Sequence, residues 1–168
     1  MEIESVEKWK GKTSAKLEKA KAEETWTIVK DFFNLHKWYP TLPTCYGVHG
    51  TNGEPGCIRY CAGFGIPSSD SCGSESVSWS KERLVAVDDA DRSIKYEMVE
   101  SNIGFKSYEA TVRVIKESDG GCVIQWCFSV QPVQGWVFQD LLIKYHDGLK
   151  LMAAKIDAEI ANEVIPQS

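Results

Sequence analysis

Arg59 and Glu82 are the side chains in this sequence best suited to chemistry. Arg59 lies in Gly56-Cys57-Ile58-Arg59-Tyr60-Cys61, and Glu82 in Trp79-Ser80-Lys81-Glu82-Arg83-Leu84-Val85-Ala86-Val87. Both segments otherwise read as strands. Strand period places Arg59 on one face with Cys57 and Cys61, and Glu82 with Ser78, Ser80, Leu84 and Ala86. If those faces point inward, both charges lose their water, which is costly unless they are paired or used. An arginine fork can hold an oxyanion. A carboxylate in an apolar pocket has its pKa raised and can pass a proton near neutral pH. Tyr108, on the apolar face of its own segment, offers a hydroxyl that can orient a substrate oxygen. Alternation alone leaves the opposite readings open: a structural ion pair, exposure at sheet edges, and a core tyrosine. His36 reads as a helix-end residue rather than a base.

Several elements must position these groups. Trp9 to Leu17 alternates as a first strand. A helix is expected from about Glu23 to Phe33, with Glu23 and Glu24 favouring the dipole of its first turn. Leu35 to Trp38 gives a second short helix, broken by Pro40 and Pro43. Six alternating segments follow: Thr44 to His49, Cys57 to Gly63, Ser76 to Val87, Ser93 to Glu100, Phe105 to Lys116 and Cys122 to Gln131. Turn residues separate them, as in an antiparallel meander. Gly63 to Ser78 includes a serine-rich loop. The inward faces are Ile94, Tyr96 and Met98; Tyr108, Ala110, Val112 and Val114; and Ile124, Trp126, Phe128 and Val130. Finally, Phe138, Leu142, Tyr145, Leu149, Met152, Ile156 and Ile160 form the stripe of one long helix from Trp136 to Val164, about 43 Å long at ~1.5 Å per residue. Gly148 in its middle serves either close packing or ligand room. A curved antiparallel sheet gripping that helix buries all these faces.

Composition narrows the function. The 168 residues suit a single domain spanning 1–168. A net charge of −5 argues against a general nucleic-acid binder. No apolar run is long enough for a membrane span, and the charged N-terminus lacks a signal core, so the expected location is the cytoplasm. The six cysteines are then expected as thiols, and neither their spacing nor that of the three histidines makes a metal site. Cys57, Cys122 and Cys127 are expected to act as small buried residues.

Four stretches together carry a resemblance: Asp31 to Lys37, Gly56 to Tyr60, Trp79 to Ala86, and Tyr108 to Thr111. In this order the chain resembles the plant lachrymatory-factor-synthase-like branch of the Bet v 1/START-like superfamily, also labelled polyketide cyclase-like. The resemblance implies an α+β helix-grip fold. In it a seven-stranded curved antiparallel sheet wraps a long C-terminal helix, with two short helices after the first strand and an apolar cavity inside. It implies a cofactor-free site in which an arginine and a glutamate rearrange a small sulfenic acid to a thial S-oxide. The motif match gives Arg59 and Glu82 those roles, with Tyr108 lining the site. Trp79, Trp126, Phe128, Phe138, Leu142 and Tyr145 are expected to line the ligand. The partner is then a small hydrophobic molecule. The Gly63 to Ser78 segment is longer than its family counterpart and is expected at the cavity mouth.

Two other readings stay open. One is a non-catalytic carrier or receptor of a hydrophobic hormone, lipid or metabolite. Abscisic-acid receptors are similar in fold and share Gly-Cys-x-Arg and Glu-Arg-Leu. Leu42 to Tyr46, however, lacks their inward lysine, and Ser101 to Phe105 lacks their His-Arg-Leu latch. The other is a protein-interaction module using the loops at the mouth.

Overall fold

The computed structural model describes residues 7–64 and 77–163. Most of the 63–78 loop, with Cys72, and the expected helix stop at Pro166 lie outside the described residues. Ten elements follow in order: β1 (Trp9–Leu17), α1 (Ala22–Val29), a 3₁₀ turn (Phe32–Lys37), β2 (Thr44–His49), β3 (Ile58–Ala62), β4 (Trp79–Asp88), β5 (Ser93–Ser101), β6 (Glu109–Lys116), β7 (Cys122–Val130) and α2 (Phe138–Glu163). The seven strands make one antiparallel sheet in the order β1-β7-β6-β5-β4-β3-β2. The long helix packs on its concave face, so the fold is the helix-grip arrangement the sequence led us to expect.

Local physics explains most boundaries. The Glu24 carboxylate accepts the Lys21 N–H at 3.0 Å, satisfying a donor that would otherwise be orphaned at the start of α1. The helix ends at Val29, four residues short of the expected Phe33. The chain then tightens into the 3₁₀ turn, where Asn34 leaves helical geometry. Residues Phe105 to Tyr108 were expected in the sixth strand but precede β6, because Ser107 takes a left-handed backbone (φ 55°). Tyr108 still accepts the Met98 N–H through its carbonyl at 3.0 Å, so its ring enters the core beside the sheet.

One inward face departs from simple alternation. Opposite β5, Leu84 pairs with Tyr96 but Ala86 pairs with Lys95, so Val85 is an extra residue in β4. Beyond this bulge the faces exchange. Ala86, expected inside, is exposed, and Val87 packs against the core instead. Before it the expected face holds: Ser78, Ser80, Glu82 and Leu84 are all buried.

The helix stripe also shifts by one position. Leu141, not Leu142, is fully buried, in line with Tyr145, Leu149, Met152, Ile156 and Ile160. The far end of α2 is tied to the sheet by Asp157. Its carboxylate accepts the N–H groups of Glu18, Lys19 and Ala20 at 2.8, 3.2 and 2.9 Å, just past the end of β1. Nearer the other end, Thr13 Oγ1 on β1 and His146 Nδ1 on α2 lie 2.6 Å apart.

Candidate functional site

Between the sheet and α2 lies a cavity of about 230 Å³. Its wall brings together residues that are far apart in sequence. Arg59 comes from β3, Ser80 and Glu82 from β4, Tyr96 and Met98 from β5. Tyr108 comes from the entry to β6, Trp126 from β7, and Tyr145 and Gly148 from α2. Leu35, Tyr39 and Leu42, from the 3₁₀ turn and the loop after it, close one side.

Arg59 and Glu82 are direct cross-strand partners in the β3–β4 register. Both point inward and are buried, at 3% and 9% exposure. Glu82 Oε1 accepts bonds from Arg59 Nε at 2.8 Å and Nη2 at 2.7 Å. Glu82 Oε2 accepts the Ser80 hydroxyl at 3.2 Å. Arg59 Nη1 donates to the Phe32 carbonyl at 3.0 Å. The guanidinium also lies 3.8 Å from the Phe32 ring centroid and 4.9 Å from that of Tyr96. Stacking on aromatic faces offsets part of the cost of burying a planar cation. Burial works against the charge, but the Glu82 carboxylate outweighs it. Arg59 is therefore held as a cation. Glu82 is not an isolated carboxylate in an apolar wall; it is one half of a fixed ion pair.

Beyond the pair runs a line of phenols. The ring centroids of Tyr96 and Tyr108 lie 6.3 Å apart, and those of Tyr108 and Tyr145 6.4 Å apart. Burial pushes the hydroxyls of all three above the ordinary tyrosine value, so they stay protonated. Tyr39 is pushed up to about 12, again by burial, with a Thr41 hydrogen bond opposing. The buried part of the site thus offers one carboxylate, one cation and several neutral hydroxyls in a largely apolar chamber, with Lys144 and Asp147 of α2 also on its wall. That set can hold a small amphiphile by its oxygen and exchange a proton with it. Among the described residues, no group of three or more His, Cys, Asp or Glu could hold a metal ion.

The sequence-nominated residues divide. Arg59, Glu82, Tyr108, Trp126 and Tyr145 line the cavity. Trp79, Phe128, Phe138 and Leu142 do not. Trp79 stands at an odd offset from Glu82, so its ring lies on the opposite sheet face, stacked 6.0 Å from Tyr60, which lies 5.1 Å from Tyr46. Phe128 and Phe138 sit behind the lining, Phe128 against Tyr108 and Tyr145, and Phe138 against Trp9. Leu142 turns toward a surface groove beside Thr13 and His146. Tyr39, Ser80, Cys61 and Tyr96 line the cavity without having been nominated. The inward faces already contained Tyr96, Ser80 and Cys61; Tyr39, in the loop just before Pro40, gave no periodic signal.

A family model described as "Polyketide cyclase / dehydrase and lipid transport" matches residues 8–158. The chain belongs to that family. It thereby falls in the Bet v 1/START-like superfamily, and the family description points to a hydrophobic ligand. MLP-like protein 423 of Arabidopsis thaliana is 31% identical over 112 residues, spanning 64% of this chain and 67% of that protein. Among solved structures, a protein from Nitrosospira multiformis superposes with a TM-score of 0.70 at 20% identity, covering 90% of this chain and 98% of its own. The protein XoxI from Bacillus cereus gives 0.66 at 22%, covering 89% and 97%. At such identities these likenesses speak to the fold. No described helix is long and apolar enough to cross a membrane.

Proposed function

We propose that the cavity binds a small hydrophobic metabolite and catalyses its proton-transfer rearrangement, in the manner of lachrymatory factor synthase. The carrying observation is the Arg59–Glu82 pair built into the cavity wall, with Glu82 Oε2 engaged by the Ser80 hydroxyl. A volume of about 230 Å³ lies below the ~300–1,000 Å³ of sites for drug-sized ligands, which favours a compact substrate over a long-chain lipid.

For a 1-alkenesulfenic acid the bookkeeping is simple. Glu82 takes the O–H proton, and the S–O bond gains double-bond character. The alkene electrons accept a proton at the far carbon as the C=S bond forms, giving the thial S-oxide. Glu82 returns the proton it took, so no external reagent is consumed. Arg59 fixes Glu82 and eases the negative charge that develops on the substrate oxygen. Tyr108, with Tyr96 beside it, orients that oxygen. In this reading the chain forms a single domain.

A second reading, a non-catalytic carrier, draws on Arg59 spending three donors inside the protein, as a structural pair would. Incubation with a small-molecule extract, followed by mass spectrometry of bound and released compounds, separates the two. The enzyme reading expects a compound that disappears as an isomer of equal mass accumulates, with Glu82→Gln retaining binding but not conversion. Recovery of a tightly held, unchanged compound by both proteins would favour the carrier.

A further inference from the structure

Cys45 on β2 and Cys61 on β3 are direct cross-strand partners, both inward-facing and both buried. Their sulfurs lie 3.9 Å apart. Cys61 lines the cavity, and its sulfur is 3.9 Å from Glu82 Oε1. Directly opposed residues of antiparallel strands have Cα atoms about 4.5 or 5.5 Å apart, inside the ~4.4–6.8 Å span a disulfide needs. The backbone therefore already suits a bond, and small side-chain rotations suffice to close it.

We infer that Cys45 and Cys61 form an oxidisable dithiol, a modification site in the cavity wall that converts to a cross-strand disulfide on exposure to a peroxide-class oxidant. The chemistry balances. One thiolate attacks a peroxide oxygen, the O–O bond breaks, and hydroxide leaves, giving a sulfenic acid. The neighbouring sulfur then displaces the sulfenic oxygen as water, forming the S–S bond. Overall two thiols and one hydrogen peroxide give one disulfide and two waters.

The electrostatics supply the nucleophile. The Cys61 hydrogen bond, against the opposing effect of burial and aided by the Arg59 charge, pulls Cys45 down to about 6. The same bond, burial and the Glu82 charge push Cys61 well up. One proton is thus shared between two sulfurs near neutral pH. Elsewhere burial pushes Cys57 and Cys122 upward, so neither matches the pair as a thiolate. A small oxidant can reach the pair from the cavity on the Cys61 side.

The test is peptide mapping by mass spectrometry of protein treated with hydrogen peroxide, in a Cys72→Ser background that excludes linkage through that residue. The expected result is loss of two free thiols, a mass lower by two hydrogens, and a Cys45–Cys61 link reversed by dithiothreitol. The oxidised protein should melt roughly 5–10 °C higher, because the bond closes a loop of some 16 residues. In Cys45→Ser or Cys61→Ser the link should vanish, and in Cys61→Ser dimedone should trap Cys45 as sulfenic acid. Both thiols remaining free under peroxide that oxidises the more accessible Cys127, or a link joining a different pair, would overturn the assignment.

Discussion

At the scale of single residues, Arg59 and Glu82 replace each other's lost water. Removing one partner of a buried pair leaves the other charge uncompensated, which typically costs about 3–5 kcal/mol. Arg59→Leu should therefore lower unfolding free energy by about that amount in urea titrations. Glu82→Gln keeps an acceptor for the guanidinium and should cost less, and Arg59→Leu with Glu82→Leu should recover part of the loss. Simple additivity of the two single changes would mean the pair is not coupled. The thiol pair gives a pH test. Cys45 falls from an ordinary 9.0 to about 6 on folding, so it adds stability that is fully present above the unfolded value and is lost as pH falls through about 6. Cys61 is raised, so its contribution is present below its unfolded value and is lost only as pH climbs through its higher folded one. Relative to Cys45→Ser, the reduced wild type should gain stability from about pH 6 toward 9 in denaturant melts. A pH-independent difference would contradict the shared proton. Little of this was readable from alternation. A strand's period says which residues share a face, but a charge on that face contradicts the apolar pattern that identifies it. The inward direction of Arg59 rests on its partner 23 positions away, a pairing that no local pattern carries.

Among the elements, α2 and its approach to the 3₁₀ region offer the sharpest experiment. Gly148 faces Tyr39, and a Cβ there would collide with the Tyr39 hydroxyl, with the ring carbons close behind. Gly148 therefore serves close packing, yet the ring it admits is part of the cavity wall. Ala is favoured over Gly in a helix by about 1 kcal/mol, whereas forcing atoms into a packed site costs about 1–3 kcal/mol. Gly148→Ala should be neutral to destabilising in the wild type and stabilising by up to about 1 kcal/mol in a Tyr39→Ala background, as measured by thermal melts. The same sign in both backgrounds would remove Tyr39 from the explanation. The meander from β2 to β7, the long helix and most inward faces were legible, because short turns join sequential strands and period-two and period-3.6 patterns report burial, whereas the β1–β7 pairing carried no local signal. The bulge at Val85 was not. It inserts a residue with no Gly or Pro to mark it, and it exchanges the Ala86 and Val87 faces. The Leu141-for-Leu142 exchange has a similar origin, since both leucines fit a three-or-four spacing and only the angle at which α2 lies on the sheet chooses between them.

For the whole molecule, the curved sheet and its helix matter because they bring seven segments to one small chamber. The family likeness supports a hydrophobic ligand, and the chamber adds a carboxylate–guanidinium pair and a row of protonated phenols to an apolar wall. The site was half legible: the motif residues converge, whereas Trp79 faces outward and Phe128, Phe138 and Leu142 stand behind or beside the lining. Apolar character alone cannot distinguish a residue that packs from one that faces a void. The central claim, that this chamber turns over its ligand through Glu82, is tested most directly by supplying a freshly generated 1-alkenesulfenic acid and following thial S-oxide by mass spectrometry. The account expects formation above the spontaneous rate by the wild type, and a fall of roughly 100- to 10,000-fold in Glu82→Gln with the fold intact, the range spanned by a positioned acid–base group. Equal rates for the wild type, Glu82→Gln and buffer alone would contradict it.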